Sequence, residues 1–190
     1  MNVSYGVDEA GKPVLHEPAH VAFGLAIDVP GSDGQRRLLV PSIKQADLMD
    51  LSQFVEAYEA LVAKARENKL DLDDFRGTTV TLTNPGMIGT LHSVPRLMPG
   101  QGLIVGVGAM DYPAAFAGAS PDTLARQAIG KVVTLTSTYD HRVIQGAASG
   151  EFLRLVERKL LGLDGFWNRA FESLRIPLEP VAWMRDTTYD

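Results

Sequence analysis

Hydrophobic and polar positions follow two different periods along this chain, and the switches between them divide it into elements. Residues 20–29 (HVAFGLAIDV) and 36–44 (RRLLVPSIK) are short apolar runs of β type, separated by PGSDGQ. The glycines and the aspartate of that connection favour a reversing turn, so the pair predicts a hairpin. Pro41 lacks the N–H that an interior strand donates, which places it at a sheet edge or a bulge. From Asp50 the period lengthens. Leu51, Phe54, Val55, Tyr58, Leu61, Val62 and Ala65 recur at spacings of three and four, predicting an amphipathic helix of about five turns. Asp50 or Ser52 suits its start, and the basic KAREN stretch suits its negative end.

Alternation in steps of two returns at residues 78–84, TTVTLTN, with Val80 and Leu82 on one face and Thr79, Thr81 and Thr83 on the other. This predicts a strand with one hydroxyl-lined side. A long Gly/Pro-rich loop follows, then LIVGVGAM as a buried strand, DYPAAFAGASPDT as a surface connection, and IGKVVTLTSTYD as a further strand striped with Thr and Ser. Residues 147–162 place Phe152, Leu153, Val156, Leu160 and Leu161 on one side of a helix, and DGFWNRAFESL predicts a short one. Residues 1–20 read as a turn-rich approach, and the end of the chain as a Pro-punctuated tail.

Composition narrows the function classes. At 190 residues the chain supports one well-cored domain, or one domain plus a tail. A net charge of −5 without a Lys/Arg cluster argues against nucleic acid. The absence of cysteine removes disulfides, thiolate catalysis and thiolate metal sites. No apolar run reaches the length of a membrane span, and the first residues lack a signal-peptide pattern, so the cytoplasm is the expected compartment.

Among four histidines, His16 and His20 lie in the polar approach and His92 in the loop beside Arg96. None has the paired spacing of a zinc site, so no metal is expected. The glycines fit neither a phosphate loop nor a dinucleotide fold, and no G-x-S-x-G elbow is present. His141 stands apart, at the end of a hydroxyl-bearing strand and ahead of a helix. On position alone, such a histidine is more often structural than catalytic.

Three blocks in order alter that balance: FGLAIDVPGSDGQRRLLVPSIK, TLTNPGMIGTLHSVPRLMPGQGLIVGVGAM and LTSTYDHRVIQGAASGEFLRLVERKLL. Together they resemble the catalytic domain of 2-oxoacid dehydrogenase acyltransferases, the E2 components. They are most similar to the branch fused to actinobacterial 2-oxoglutarate dehydrogenase E1. The resemblance runs from about Tyr5 to Trp183. It implies an α/β two-layer sandwich of chloramphenicol acetyltransferase type, truncated at the N-terminus, over residues 1–163. Residues 164–190 are then a C-terminal helix and tail or linker. It also implies a trimer with sites between subunits.

The family's H-x-x-x-D-G block falls on His141 to Gly146, which makes His141 the implied general base. A thiol near ~8.5 is mostly protonated at neutral pH, and an imidazole near ~6.5 can accept its proton. The family's strand hydroxyl falls on Thr83, the implied oxyanion donor, with Asn84, Tyr139 and Asp140 shaping the site. Arg142 and Arg96 are candidates for coenzyme A phosphates or an acyl carboxylate, on charge alone. Coenzyme A and dihydrolipoamide carried by a lipoyl domain are the implied substrates, and E1 and E3 the implied partners. Thiamine diphosphate chemistry belongs to another domain of a parent protein.

Two departures from the family pattern bear on activity. Gln145 replaces the usual Asp, and family domains begin with further helices and a strand upstream of VDEAGKP. Both favour an alternative from another class, a non-catalytic assembly or oligomerisation module.

Overall fold

The computed structural model describes residues 1–31 and 34–177; the Pro-punctuated tail expected beyond these lies outside the described residues. Strands β1 (Ser4–Val7) and β2 (Pro13–His16) form an antiparallel hairpin of their own, with Tyr5 opposite Leu15. Residues 1–20 therefore form a β-hairpin, where the sequence pattern predicted only a turn-rich approach. Four-residue exposed strands carry too little apolar alternation to announce themselves, although the DEAGK turn between them is legible.

The predicted hairpin over 20–44 forms but is broken twice. Its strands run as β3 (Phe23–Leu25), β4 (Ile27–Pro30), β5 (Arg36–Leu39) and β6 (Ser42–Ile43). Pairs β3–β6 and β4–β5 share the same antiparallel course. Between them the Leu25 N–H donates to the Pro41 carbonyl, and the Ala26 N–H donates to Leu82. Pro41 is fully buried at this break, as expected of a residue that interrupts a ladder.

Helix α1 (Leu51–Arg66) follows the period read from the sequence. Asp50 is its cap: Oδ1 accepts the Gln53 N–H at 2.8 Å, and Gln53 Oε1 accepts the Asp50 N–H at 3.0 Å, a reciprocal box. A single turn, α2 (Leu72–Phe75), precedes β7 (Val80–Thr83). Then come β8 (Leu103–Val107), α3 (Pro121–Arg126), β9 (Leu135–Tyr139), α4 (Gly146–Leu160) and α5 (Phe166–Ser173). Helix α3 begins in the last residues of what was expected to be plain surface connection and runs beyond it. Strand β9 covers only the second half of IGKVVTLTSTYD; before it, Val132 makes one bridge to Asp111.

The main sheet has the order β6-β3-β7-β8-β9. Strands β3, β7 and β8 are parallel, while β6 and β9 run antiparallel at the edges. One face is apolar. Val80, Leu103, Val105 and Ile144 form a buried cluster under Phe152 of α4, and Leu25, Ile43 and Leu61 form another with α1. Phe23 bridges the two clusters and meets Phe54 edge-on at 5.6 Å. The other face carries Thr81, Thr83, Ile104, Gly106, Thr136 and Thr138 by alternation. Residues 85–102 cross this face to link β7 to β8.

Leu103 is 1% exposed at the centre of the first cluster. Leu103→Ala is expected to lower unfolding free energy by about 2–5 kcal/mol in urea titrations. Leu72→Ala, at an exposed position, is expected to stay within about 0.5 kcal/mol.

Candidate active site

Three threonines share one side of the β7 strand and its entry, with different fates. Thr79 Oγ1 accepts the Ala22 N–H at 3.1 Å, and Thr81 Oγ1 donates to Gln101 Oε1 at 2.6 Å, both buried. These two hydroxyls are satisfied inside the protein, as buried polar groups must be. Thr83, half-buried at the strand's C-terminal end, makes no side-chain hydrogen bond among the described residues. Its neighbour Asn84 is exposed and opens a short 3₁₀ turn, Pro85–Ile88, without capping it through its side chain. Gly86 allows that turn to press against the Gly108–Ala109 backbone, where any Cβ would collide.

The loop then crosses the threonine face. Thr136 Oγ1 donates to the Ser93 carbonyl at 2.8 Å. A Cβ at Gly106 would fall 2.6 Å from Thr136 Oγ1 and 2.9 Å from Ser93 Oγ, so glycine makes room for the crossing. Arg96 is exposed between Ser93 and Gln101, and His92 is exposed beside Ser93.

His141 occupies the opposite end of the sheet. Thr83 pairs with Gly106, and Gly106 with Thr136. His141 follows Thr136 by five residues along an antiparallel strand, a separation of about 15 Å in the strand direction. One chain therefore does not bring Thr83 and His141 together.

The His141 turn is held at both shoulders. The Asp140 N–H continues the ladder to the Gly102 carbonyl at 2.9 Å, and the Asp140 carbonyl accepts from Val143 at 3.1 Å and Ile144 at 2.9 Å. Ile144 is anchored in the core. Arg142 clasps Asp140 from the other side of the histidine: Nε and a terminal nitrogen donate to the carboxylate at 2.9 and 2.6 Å, and the Arg142 N–H adds a third bond at 3.0 Å. The guanidinium also lies 3.7 Å from the centroid of the Tyr5 ring. At the apex, His141 is exposed, faces Tyr139 at 5.5 Å between ring centroids, and makes no hydrogen bond among the described residues. Gln145 begins α4 without a side-chain cap.

Of the residues singled out in the sequence, Thr83 and Asn84 gather at one end of the sheet. Tyr139, Asp140, His141 and Arg142 gather at the other, and Arg96 lies on the loop between. Arg142, read as a phosphate or carboxylate contact, is engaged with Asp140 and Tyr5. Tyr5 escaped the sequence reading because its strand did. Among the described residues, no group of three His, Asp or Glu side chains is placed to hold a metal.

The Arg142 hydrogen bond holds the Asp140 carboxyl below its ordinary range, against the opposing effect of burial. A depressed folded value means stability that is present above the ordinary aspartate range and lost as pH falls through the folded value. The melting-temperature gap between wild type and Asp140→Asn is expected to be constant at neutral pH and to close on acidification below that range.

The family described as 2-oxoacid dehydrogenases acyltransferase (catalytic domain) matches residues 1–164. The 2-oxoglutarate dehydrogenase E1/E2 component of Corynebacterium glutamicum is 57% identical over 186 residues; these cover 98% of this chain and 15% of that protein. This chain thus spans a small part of that relative's length. The dihydrolipoamide acetyltransferase of Azotobacter vinelandii superposes with a TM-score of 0.63 at 29% identity, over 82% of this chain and 59% of that one. Its crystallographic and enzymatic study concerns a serine, a histidine and, four positions later, an asparagine in the catalytic mechanism. The cubic core of the pyruvate dehydrogenase multienzyme complex aligns with a TM-score of 0.60 at 30% identity, over 80% of this chain and 58% of that one.

Proposed function

The chain belongs to the acyltransferase catalytic-domain family of the 2-oxoacid dehydrogenases, and we propose that it moves a succinyl group between dihydrolipoamide and coenzyme A, at a site shared by two copies. The observation that carries this reading is His141: an imidazole without a hydrogen-bond partner among the described residues, at the apex of a turn fixed on both sides. It has an amide four residues on, as the Azotobacter acetyltransferase has an asparagine four positions after its histidine. Gln145 is thus an amide variant of the motif and not the loss of a function.

In the proposed reaction His141 takes the proton of the coenzyme A thiol. The sulfur attacks the thioester carbonyl of succinyl-dihydrolipoamide, and the Thr83 hydroxyl donates to the oxygen that becomes negative. Collapse breaks the bond to the lipoyl sulfur, which takes back the proton from His141. Arg96, exposed and without an ion pair among the described residues, and Asn84 are the proposed coenzyme A contacts. Dihydrolipoamide arrives on a lipoyl domain, and E1 and E3 supply the neighbouring steps.

Sharing between copies follows from the separation of Thr83 and His141. The surface for it is at hand: Met87, Ile88, Leu91 and Val94 of the crossing loop are all more than 60% exposed. Such contiguous apolar exposure is characteristic of an interaction surface. A trimer or larger assembly is the proposed state, in keeping with the assembled core that this chain resembles.

His141→Ala is expected to reduce succinyl transfer by about 10²–10⁴, and Thr83→Ala by about 10²–10³. The decisive measurement mixes the two variants. Co-assembled chains regain activity, because some interfaces pair an intact His141 with a neighbour's intact Thr83. Wild-type rates in either single variant would remove that residue's assignment, no transfer by the wild type would leave an assembly module, and no recovery on mixing would remove the shared site.

A further inference from the structure

We propose that Tyr5 is a positioning residue for His141: its ring seats the Asp140–Arg142 clasp and so fixes the turn from which the imidazole projects. This rests on His141 acting as the base.

Arg142 has two jobs that only a guanidinium combines. In its plane, two nitrogens grip the Asp140 carboxylate; through its face, it stacks on Tyr5 at 3.7 Å. The carboxylate side chain is 13% exposed and the arginine side chain 61% exposed. An ion pair with one partner so open to solvent holds its geometry weakly on its own. The aromatic face supplies what the pair lacks, a flat surface that restricts the guanidinium to one plane. Asp140 and Arg142 flank the histidine in sequence, so restricting the clasp restricts the backbone that carries it.

Tyr5 is itself placed from outside the main ladder. It belongs to the β1–β2 hairpin, a separate two-stranded sheet. Val3 packs this hairpin against the central cluster, and Asn2 Nδ2 donates to the Pro18 and His20 carbonyls at 2.9 and 3.1 Å. The N-terminal hairpin is therefore the second support of the His141 turn, independent of the hydrogen bonds to Gly102 and within 140–144. Tyr139, the ring partner of His141 at 5.5 Å, approaches from the strand.

The test uses the full-length protein in its native assembly, with succinyl transfer from a lipoyl domain to coenzyme A as the readout. Tyr5→Ala is expected to lower kcat roughly tenfold, within the range that small misplacement of a catalytic group produces. KM for coenzyme A stays within about twofold, because a positioning role acts on the chemical step and not on substrate binding. Tyr5→Phe, which keeps the ring, retains the wild-type kcat. Arg142→Lys reproduces the loss, and combining it with Tyr5→Ala adds little, since both break one contact.

Unchanged kcat in Tyr5→Ala, with His141→Ala inactive, overturns the positioning role. An active His141→Ala overturns the base assignment instead. If Tyr5→Ala fails to assemble, Tyr5→Leu keeps apolar bulk without the π face; a wild-type kcat there overturns the proposal, and a lowered kcat supports it.

Discussion

The register of the β7–β8–β9 ladder is the constraint on which the site depends. Strand β8 runs parallel to β7, and β9 runs antiparallel to β8. The chain therefore finishes β7 at one end of the sheet with Thr83 and leaves β9 at the opposite end, just before His141. No rotamer change closes a gap of about 15 Å. Slipping the register by one residue would move Thr83 by only about 3.3 Å and would turn Val80, Leu103 and Val105 out of the core. The same packing that makes the sheet stable keeps the two proposed catalytic groups apart, and a second copy is the direct way to unite them.

The crossing loop follows from the same geometry. Two parallel neighbours need a connection that returns the full length of a strand. Here residues 85–102 make that return as a 3₁₀ turn followed by irregular chain laid over threonines. Thr81 is satisfied by Gln101, and Thr136 by the Ser93 carbonyl, so hydroxyls serve under a polar backbone where apolar residues serve under helices. With its inner side committed to the sheet, the loop turns Met87, Ile88, Leu91 and Val94 outward. The surface proposed to meet a second copy is thus a consequence of how β7 is joined to β8.

Long periodic segments were legible in the sequence, and so was the family once three motif blocks were taken together. Helix α1, with its Asp50 cap, and the buried strand β8 follow directly from spacing. The hairpin over 20–44 was also readable, with Pro41 correctly marking its interruption. Short exposed elements were not: β1, β2 and α3 bury too little to impose a pattern. The hydroxyl stripe of TTVTLTN was visible, yet periodicity does not distinguish Thr81, bonded and buried, from Thr83, which has no side-chain partner among the described residues. Nor does it reveal that Arg142 is occupied by its own neighbour, because that contact depends on Tyr5 arriving from a hairpin more than a hundred positions away.

The clasp also bears on Gln145. The family motif carries an aspartate at that position, and this chain carries an amide. The charged pair is local: Asp140 and Arg142 close around His141 from either side, and Gln145 forms no cap bond at the head of α4. The neutral amide of Gln145 keeps a donor and an acceptor at the entrance of the helix. On the proposed reading, orientation of the imidazole is governed by its sequence neighbours Asp140 and Arg142 and by the Tyr5 ring beneath them, and it does not need a charge at position 145.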